Sequence, residues 1–339
     1  MRYSDDEKAL IMLSHESSVQ KRTSCLASVK RPRDLYGNYA HADTVIEYMT
    51  RRGMTAVTYC SEGYPEALRD LYDPPAVLYC RGNTALLSDM SRNIAVVGTR
   101  RITRYGKDVT ACFVRAFAES GLCVVSGMAR GVDTLAHRTA LDCGADTVAV
   151  LGCGADVPYP PENAGLLKEI AEKGLVVSEY PPGTPPHGYR FPERNRIISA
   201  LSFGVLVTEA GAKSGSLITA DCAIEQGKEL YVVPGNVFSG ASEGCNLKIK
   251  ECQGAAVTTP TDILGDKRRK SAKELGVQLS IEQTRILEML AEEESVHFSD
   301  LLQKSGLSTG ELSALLSEME IYGMVNKLSG NYYSAVREL

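Results

Sequence analysis

The sequence has ten cysteines but no CxxC pair and no Cys/His cluster at zinc spacing, so no metal site is expected. Most of the cysteines sit in apolar runs (Cys80, Cys112, Cys123, Cys153, Cys222), where a reduced thiol behaves as a small hydrophobe. This points to a reduced, cytoplasmic protein rather than a disulfide framework. No apolar run approaches the roughly 20 residues that span a membrane. The opening MRYSDDEKALIML carries acids before its short apolar stretch, unlike a secretory signal. The dinucleotide fingerprint GxGxxG is missing. Gly152-Cys153-Gly154 follows a strand-like run, but Ala155, Asp156, Val157 and Pro158 come next, with no third glycine and no immediate helix. There is no P-loop, and Ser126 lies in a glycine turn without a GxSxG elbow. Neither a cofactor nor a catalytic residue is expected.

What is present is ordinary in bulk: 339 residues, 44% hydrophobic and 23% charged, enough for two or three soluble domains. With a net charge of −5, any contact with nucleic acid must come from a local basic face. Such a face is suggested at IAVVGTRRITRYG. Ile94–Val97 reads as a buried parallel strand stopped by Gly98, and Tyr105–Glu119 carries apolar residues at helical spacing. A strand, a glycine turn and a helix present free N–H groups that suit an anion. Arg92, Arg100, Arg101, Arg104 and Lys107 crowd the same window, with no acid between Arg92 and Lys107. A tight turn with solvated arginines is the competing reading.

From Asn93 onward strand and helix alternate. Strands are expected at Ile94–Val97, Leu122–Ser126, Thr147–Leu151, Leu175–Ser178, Val205–Thr208 and Leu230–Val233. Helices are expected at Lys107–Ser120, Thr134–Cys143, Pro161–Lys173 and Leu217–Gln226. The pattern predicts an α/β fold with a doubly wound parallel sheet, whose ligands bind beyond the carboxyl ends of the strands. Ahead of it lie a polar helical region, residues 1–60, and two lead-in strand candidates, Thr55–Cys60 and Ala76–Cys80. The main domain covers 61–265 and a basic linker 266–279. Residues 280–339 read as three helices and a hairpin, the plan of a winged helix. From Ile281 to Leu339 there are ten acidic against four basic residues. Phosphate contacts need cations, so this part suits protein contact or regulation better than groove reading.

Three post-strand loops carry candidate chemistry. In EAGAKSGS, Lys213, Ser214, Gly215 and Ser216 stand at a helix start, suiting an anion or serving as a plain cap. YRFPERNR interleaves Arg190, Arg194 and Arg196 with Tyr189, Phe191 and Asn195, which suits a nucleic-acid strand. At least one of Arg194 and Arg196 is expected to be structural, paired with Glu179, Glu193 or Glu209 to pin the loop. SGMARGVDTLAH offers Ser126, Arg130, Asp133 and His137: Asp133 suits the cap of the next helix with His137 one turn on, and a Ser/His/Asp triad is the catalytic reading.

Taken in order, YPEALRDLYDPPAVLYCRG, VVGTRRITRYG, VSGMARGVDTLAH, VAVLGCGADVPYPPEN, SEYPPGTPPHGYRFPERNRIISALS, VLVTEAGAKSGSLITADCAIEQGKELYVVPG and EGCNLKIKECQGA resemble the DNA-processing protein A (DprA/Smf) family. The resemblance implies an extended Rossmann-like domain that binds single-stranded DNA, with dimerisation through that domain. It also implies loading of the RecA recombinase on incoming strands during natural transformation, without enzymatic activity. The DNA-contacting set it implies is Gly98, Thr99, Arg100, Arg101, Ser126, Gly127, Arg130, Phe191, Arg194, Asn195, Arg196, Lys213, Ser214, Gly215 and Ser216. Within that set Arg100, Arg194, Arg196 and Lys213 form a phosphate pocket, and Phe191 is a base-stacking ring.

Two other functions compete. A nucleotide hydrolase or transferase would need a positioned carboxylate, for which Glu209 is the candidate by location. A protein-binding scaffold would build on the acidic winged helix.

Overall fold

The apolar run before Gly98 forms the strand Asn93–Val97, every residue of which is buried. The computed structural model describes residues 2–16, 19–28, 31–265, 280–291, 295–321, 324–328 and 330–335. The chain forms two compact units, Met1–Ile263 and Leu264–Leu339. In chain order come helices α1 (Asp5–Ser14), α2 (Val19–Ser28) and α3 (Ala40–Arg51), strand β1 (Met54–Thr58), α4 (Glu66–Arg69) and β2 (Val77–Gly82). The alternating part follows: β3 (Asn93–Val97), α5 (Arg104–Glu119), β4 (Cys123–Ser126), α6 (Val132–Asp142), β5 (Thr147–Leu151), α7 (Ala164–Lys173) and β6 (Leu175–Ser178). Then come α8 (Arg190–Ala200), β7 (Gly204–Val207), α9 (Ser216–Glu225), β8 (Glu229–Val232), α10 (Glu243–Lys250), β9 (Ala255–Ala256) and α11 (Thr261–Leu264).

The nine strands form one sheet in the order β1-β2-β6-β5-β4-β3-β7-β8-β9. From β6 to β9 all neighbours are parallel, whereas β1 pairs antiparallel with β2, and β2 antiparallel with β6. The two lead-in strands are therefore an antiparallel edge of the main sheet. Along β5, Val148 and Val150 enter one core layer and Ala149 and Leu151 the other, the period-two alternation of a strand covered on both faces. The second layer also takes Leu10, Ile11 and Leu13 from α1 and Val45 and Met49 from α3. Short helices cannot bury their apolar faces alone, so the boundary expected at residue 60 does not separate two compact units. Ser14 Oγ and the buried Tyr79 hydroxyl, 2.7 Å apart, tie α1 to β2.

α8 is a helix where the sequence suggests a loop. Its buried positions include Arg194 and Asn195 beside Ile197 and Ile198. Polar groups on the inward face erase the apolar period by which a helix is read.

The chain builds β3, β4, β5 and β6 outward in one direction, then returns to lay β7 and β8 on the other side of β3. The crevice between β3 and β7 is thus the topological switch point of the sheet.

In the second unit, α12 (Ile281–Ala291), β10 (Val296–His297), α13 (Phe298–Ser305) and α14 (Thr309–Ile321) precede β11 (Val325–Leu328) and β12 (Tyr332–Ala335). Its sheet, β10-β12-β11, is antiparallel, and Leu290, Leu301, Leu312, Leu316 and Val325 fill its core. This is the expected winged helix, with β10 as an unexpected third strand. The basic linker lies outside the described residues.

Candidate functional site

The turn after β3 is built by close approach. A Cβ on Gly98 would stand 2.6 Å from Val132 Cγ2 and 2.8 Å from the Glu209 carbonyl oxygen, so only glycine fits. Thr99 donates its N–H to that carbonyl at 2.7 Å, tying the β3 turn to the loop after β7. Thr103 caps α5 by accepting from Gly106 N–H at 3.1 Å. The buried Glu209 carboxylate takes the Thr103 N–H at 2.9 Å and its hydroxyl at 2.5 Å. Both of its oxygens are occupied in fastening the two loops together.

Between these loops opens a cavity of about 590 Å³, half enclosed and lined by Gly98–Arg101, Phe191, Arg194, Asn195 and Lys213–Ser216 among others. The N-terminus of α9 faces it. Gly215 is the cap there and supplies no side-chain oxygen; the Ser216 N–H lies 3.5 Å from Ser214 Oγ and the Leu217 N–H donates to the Ser214 carbonyl at 3.1 Å, with the positive end of the helix dipole facing the cavity. Ser214 Oγ and Ser216 Oγ lie 2.8 Å apart beside them. Asn195 Nδ2 donates to the Gly215 carbonyl at 3.3 Å and holds this loop to α8. Arg100, Arg101 and Lys213 are exposed, and none has a salt-bridge partner among the described residues. The rim therefore combines three available cations with a helix dipole of the same sign.

Phe191 stands at the edge of the cavity. Its ring packs over Gly152, lies 5.1 Å from the Tyr159 ring at 30°, and has the Arg100 guanidinium 5.6 Å from its centroid. Beyond it a smaller cleft is lined by Arg100, Gly127, Ala129, Arg130, Tyr159 and Pro160. Phe191 borders both spaces.

Beneath the rim lies a buried polar layer. Arg194, 3% exposed, donates from Nη1 to the Gly127 carbonyl at 2.6 Å and to the Val150 carbonyl. Gly127 must be glycine, since a Cβ would stand 2.3 Å from Arg194 Nη1. Burial lowers the proton affinity of Arg194, and the Asp133 carboxylate opposes this. Burial likewise pushes Asp133 up to about 6, against the pull of Arg194. His137 is fully buried, with Nδ1 2.7 Å from Thr147 Oγ1. The Thr147 hydroxyl donates to the Val124 carbonyl, which leaves it free to accept from His137 Nδ1. Burial pushes the pKa of His137 down to about 3, so it is neutral at physiological pH. Ser126 is buried and donates to the Val96 carbonyl at 2.7 Å. Ser126 thus links β4 to β3 and His137 links α6 to β5, and the triad does not form.

A family model described as DNA recombination-mediator protein A matches residues 55–267, and a DprA winged helix model matches 270–331. The chain belongs to the DNA recombination-mediator protein A family. It is 39% identical to the DNA processing protein DprA of Bacillus subtilis over 225 residues, 66% of this chain and 75% of that one. The crystal structure of DprA from Streptococcus pneumoniae matches with a TM-score of 0.66 at 32% identity, covering 78% of this chain and 99% of the other. The DprA structure from Helicobacter pylori, described for its single-stranded DNA binding mode, matches with a TM-score of 0.57 at 35% identity over 62% of this chain and 94% of that one.

Among the residues singled out in this family member's sequence, Gly98, Thr99, Arg100, Arg101, Phe191, Arg194, Asn195 and Lys213–Ser216 come together around the main cavity. Gly127 and Arg130 line the neighbouring cleft, where Arg130 pairs with Glu162. Three expected contacts are withdrawn from solvent, Arg194 beneath the rim being the first. Ser126 is buried in its strand link, and Arg196 is held by Asp73 at 2.8 Å and by Glu179 at 2.8 and 3.0 Å. Two positions along a helix turn a side chain by about 200°, so Arg194 and Arg196 cannot share one pocket. Arg196 is the structural arginine that this segment was expected to contain. Sequence reading overlooked Tyr159. The signal was its tyrosine between prolines in a post-strand loop, the place where this fold puts ligands. Among the described residues no helix is long and apolar enough to cross a membrane.

Proposed function

We propose that this recombination mediator binds single-stranded DNA in the crevice between β3 and β7. Arg100, Arg101 and Lys213 neutralise phosphates there, the Gly215 N–H and the hydroxyls of Ser214 and Ser216 donate to one of them, and a base stacks on Phe191. The observation that carries this reading is the open cavity at the switch point, where three unpaired cations and a helix N-terminus converge beside an aromatic ring. Arg194 acts from below by holding the Gly127 turn in place. The bound strand is then handed to the RecA recombinase, in the cytoplasm of a transforming cell, by a homodimer formed through the Rossmann-like unit. Glu209, the carboxylate a hydrolase or transferase would use by location, does not line the cavity and has both oxygens engaged with Thr103, which favours a binding role over bond-making chemistry.

The test is fluorescence anisotropy of labelled oligo-dT over a salt series, with duplex as the control. Binding should fall linearly on a log–log plot, and Arg100→Ala should reduce the slope by about 0.7, one single-strand phosphate contact. Absence of single-strand binding at low salt would overturn this function.

A further inference from the structure

The loop after β8 displays an exposed ring on a fixed base. Val237 is 80% exposed and Phe238 96%, in a chain with only six phenylalanines. Asn246 clamps the loop from α10, accepting from Gly235 N–H and donating to the Gly235 carbonyl, both at 3.1 Å. The Tyr105 hydroxyl donates to the Pro234 carbonyl at 2.6 Å, and Asn236 Oδ1 accepts the Phe238 N–H at 2.9 Å to turn the tip. An aromatic side chain held out in water on so constrained a backbone marks a contact surface.

Its place in the sheet says what it contacts. β3, β7 and β8 are adjacent and parallel, so their following loops leave the same edge. The Gly240 carbonyl oxygen lies 3.0 Å from the Cβ position of Gly211, a residue that lines the cavity. Exposed Arg104 and Lys107 begin α5 alongside Tyr105, and Lys213 lies two residues beyond Gly211. The acids of these segments are Asp108, a loose 4.0 Å partner of Arg104, and Glu243 at the start of α10.

We propose that Val237–Phe238 is a second base-stacking platform, on the far side of the cavity from Phe191. The inference rests on the single-strand reading above and extends its path. Phe191 packs over the loop after β5, and Phe238 follows β8, four strand spacings away. At about 4.8 Å each, these make an edge of roughly 19 Å, a length that several nucleotides span. Phosphates bind in the middle and bases stack at both ends. Stacking on rings accepts any base, as a mediator of recombination needs.

Anisotropy with the full chain tests this, using labelled dT oligomers of about 4 and about 15 nucleotides, the range of single-strand site sizes. Phe238→Ala should weaken the longer oligomer about tenfold, leave the shorter one unchanged and leave the salt slope unchanged, because no phosphate contact is lost. Phe238→Tyr should restore the affinity. Equal affinity of wild type and Phe238→Ala for both oligomers would overturn the platform while the cavity reading stands. A loss at both lengths, with a change of sedimentation mass, would also overturn it and make the loop an interface between copies of the chain. If the wild type binds neither oligomer, the single-strand reading itself fails and the platform with it. Phe238 is almost wholly exposed, so the fold does not depend on it.

Discussion

Three arginines that look alike in sequence have three different tasks because their surroundings differ. Arg100 stays in water and can meet a phosphate. Arg194 is buried on two carbonyls, and Arg196 is consumed by Asp73 and Glu179. The buried layer around Arg194 also makes a pH prediction. Asp133, raised to about 6 in the fold from 3.8, holds a proton between those values that the unfolded chain has lost, so its contribution to stability falls as pH rises. His137, lowered to about 3 from 6.5, refuses a proton that the unfolded chain takes, so its contribution falls as pH drops. Between pH 4 and 6 the two slopes oppose each other. Asp133→Asn should expose the histidine slope, about 1.4 kcal/mol per pH unit. Melting temperature should then fall more steeply from pH 6 to pH 4 in the variant than in the wild type. Parallel curves for the two proteins would show that the opposing titrations are absent.

At the scale of elements, the site is two loops fastened together. Glu209 holds the cap of α5, Thr99 holds the Glu209 main chain, and Gly98 lets the two approach. A methyl group at position 98 meets Val132 and a carbonyl oxygen, and a backbone neighbour cannot step aside. Gly98→Ala should therefore cost about 2 kcal/mol of stability, the usual penalty for overpacking. It should also weaken oligo-dT binding beyond what the loss of stability explains, at temperatures where the variant remains folded. Unchanged denaturant midpoint and affinity would mean that the turn relaxes freely. α8 belongs to this scale too. Its inward face carries Arg194 and Asn195, and the carbonyls of Gly127, Val150 and Gly215, with the Asp133 carboxylate, make that burial tolerable.

For the whole molecule, the net charge of −5 is no obstacle to a nucleic-acid ligand, because the cations that matter are gathered at one sheet edge. All the cavity side chains belong to the first compact unit. A fragment ending at residue 265 should therefore keep its single-strand affinity. A loss greater than about tenfold, or 1.4 kcal/mol, would assign part of the binding surface to the second unit. The α14 helix carries Glu311, Glu318 and Glu320 and no basic residue, which suits contact with protein.

By itself the sequence determined most of the strands and helices of the alternating part, from Asn93 onward. Those properties are local: side-chain period and capping act over a few residues, so VVGTRR and EAGAKSGS were legible as the walls of a site. Tertiary structure alone decided which charges remain free. Arg196 and Asp73 meet across 123 positions of chain, and no pattern within a window can register that pairing. For the same reason the antiparallel edge formed by β1 and β2, the docking of the N-terminal helices on the main sheet, and the inward polar face of α8 were invisible. Each depends on partners that only folding brings near, and burial then decides whether a charge serves the fold or the ligand.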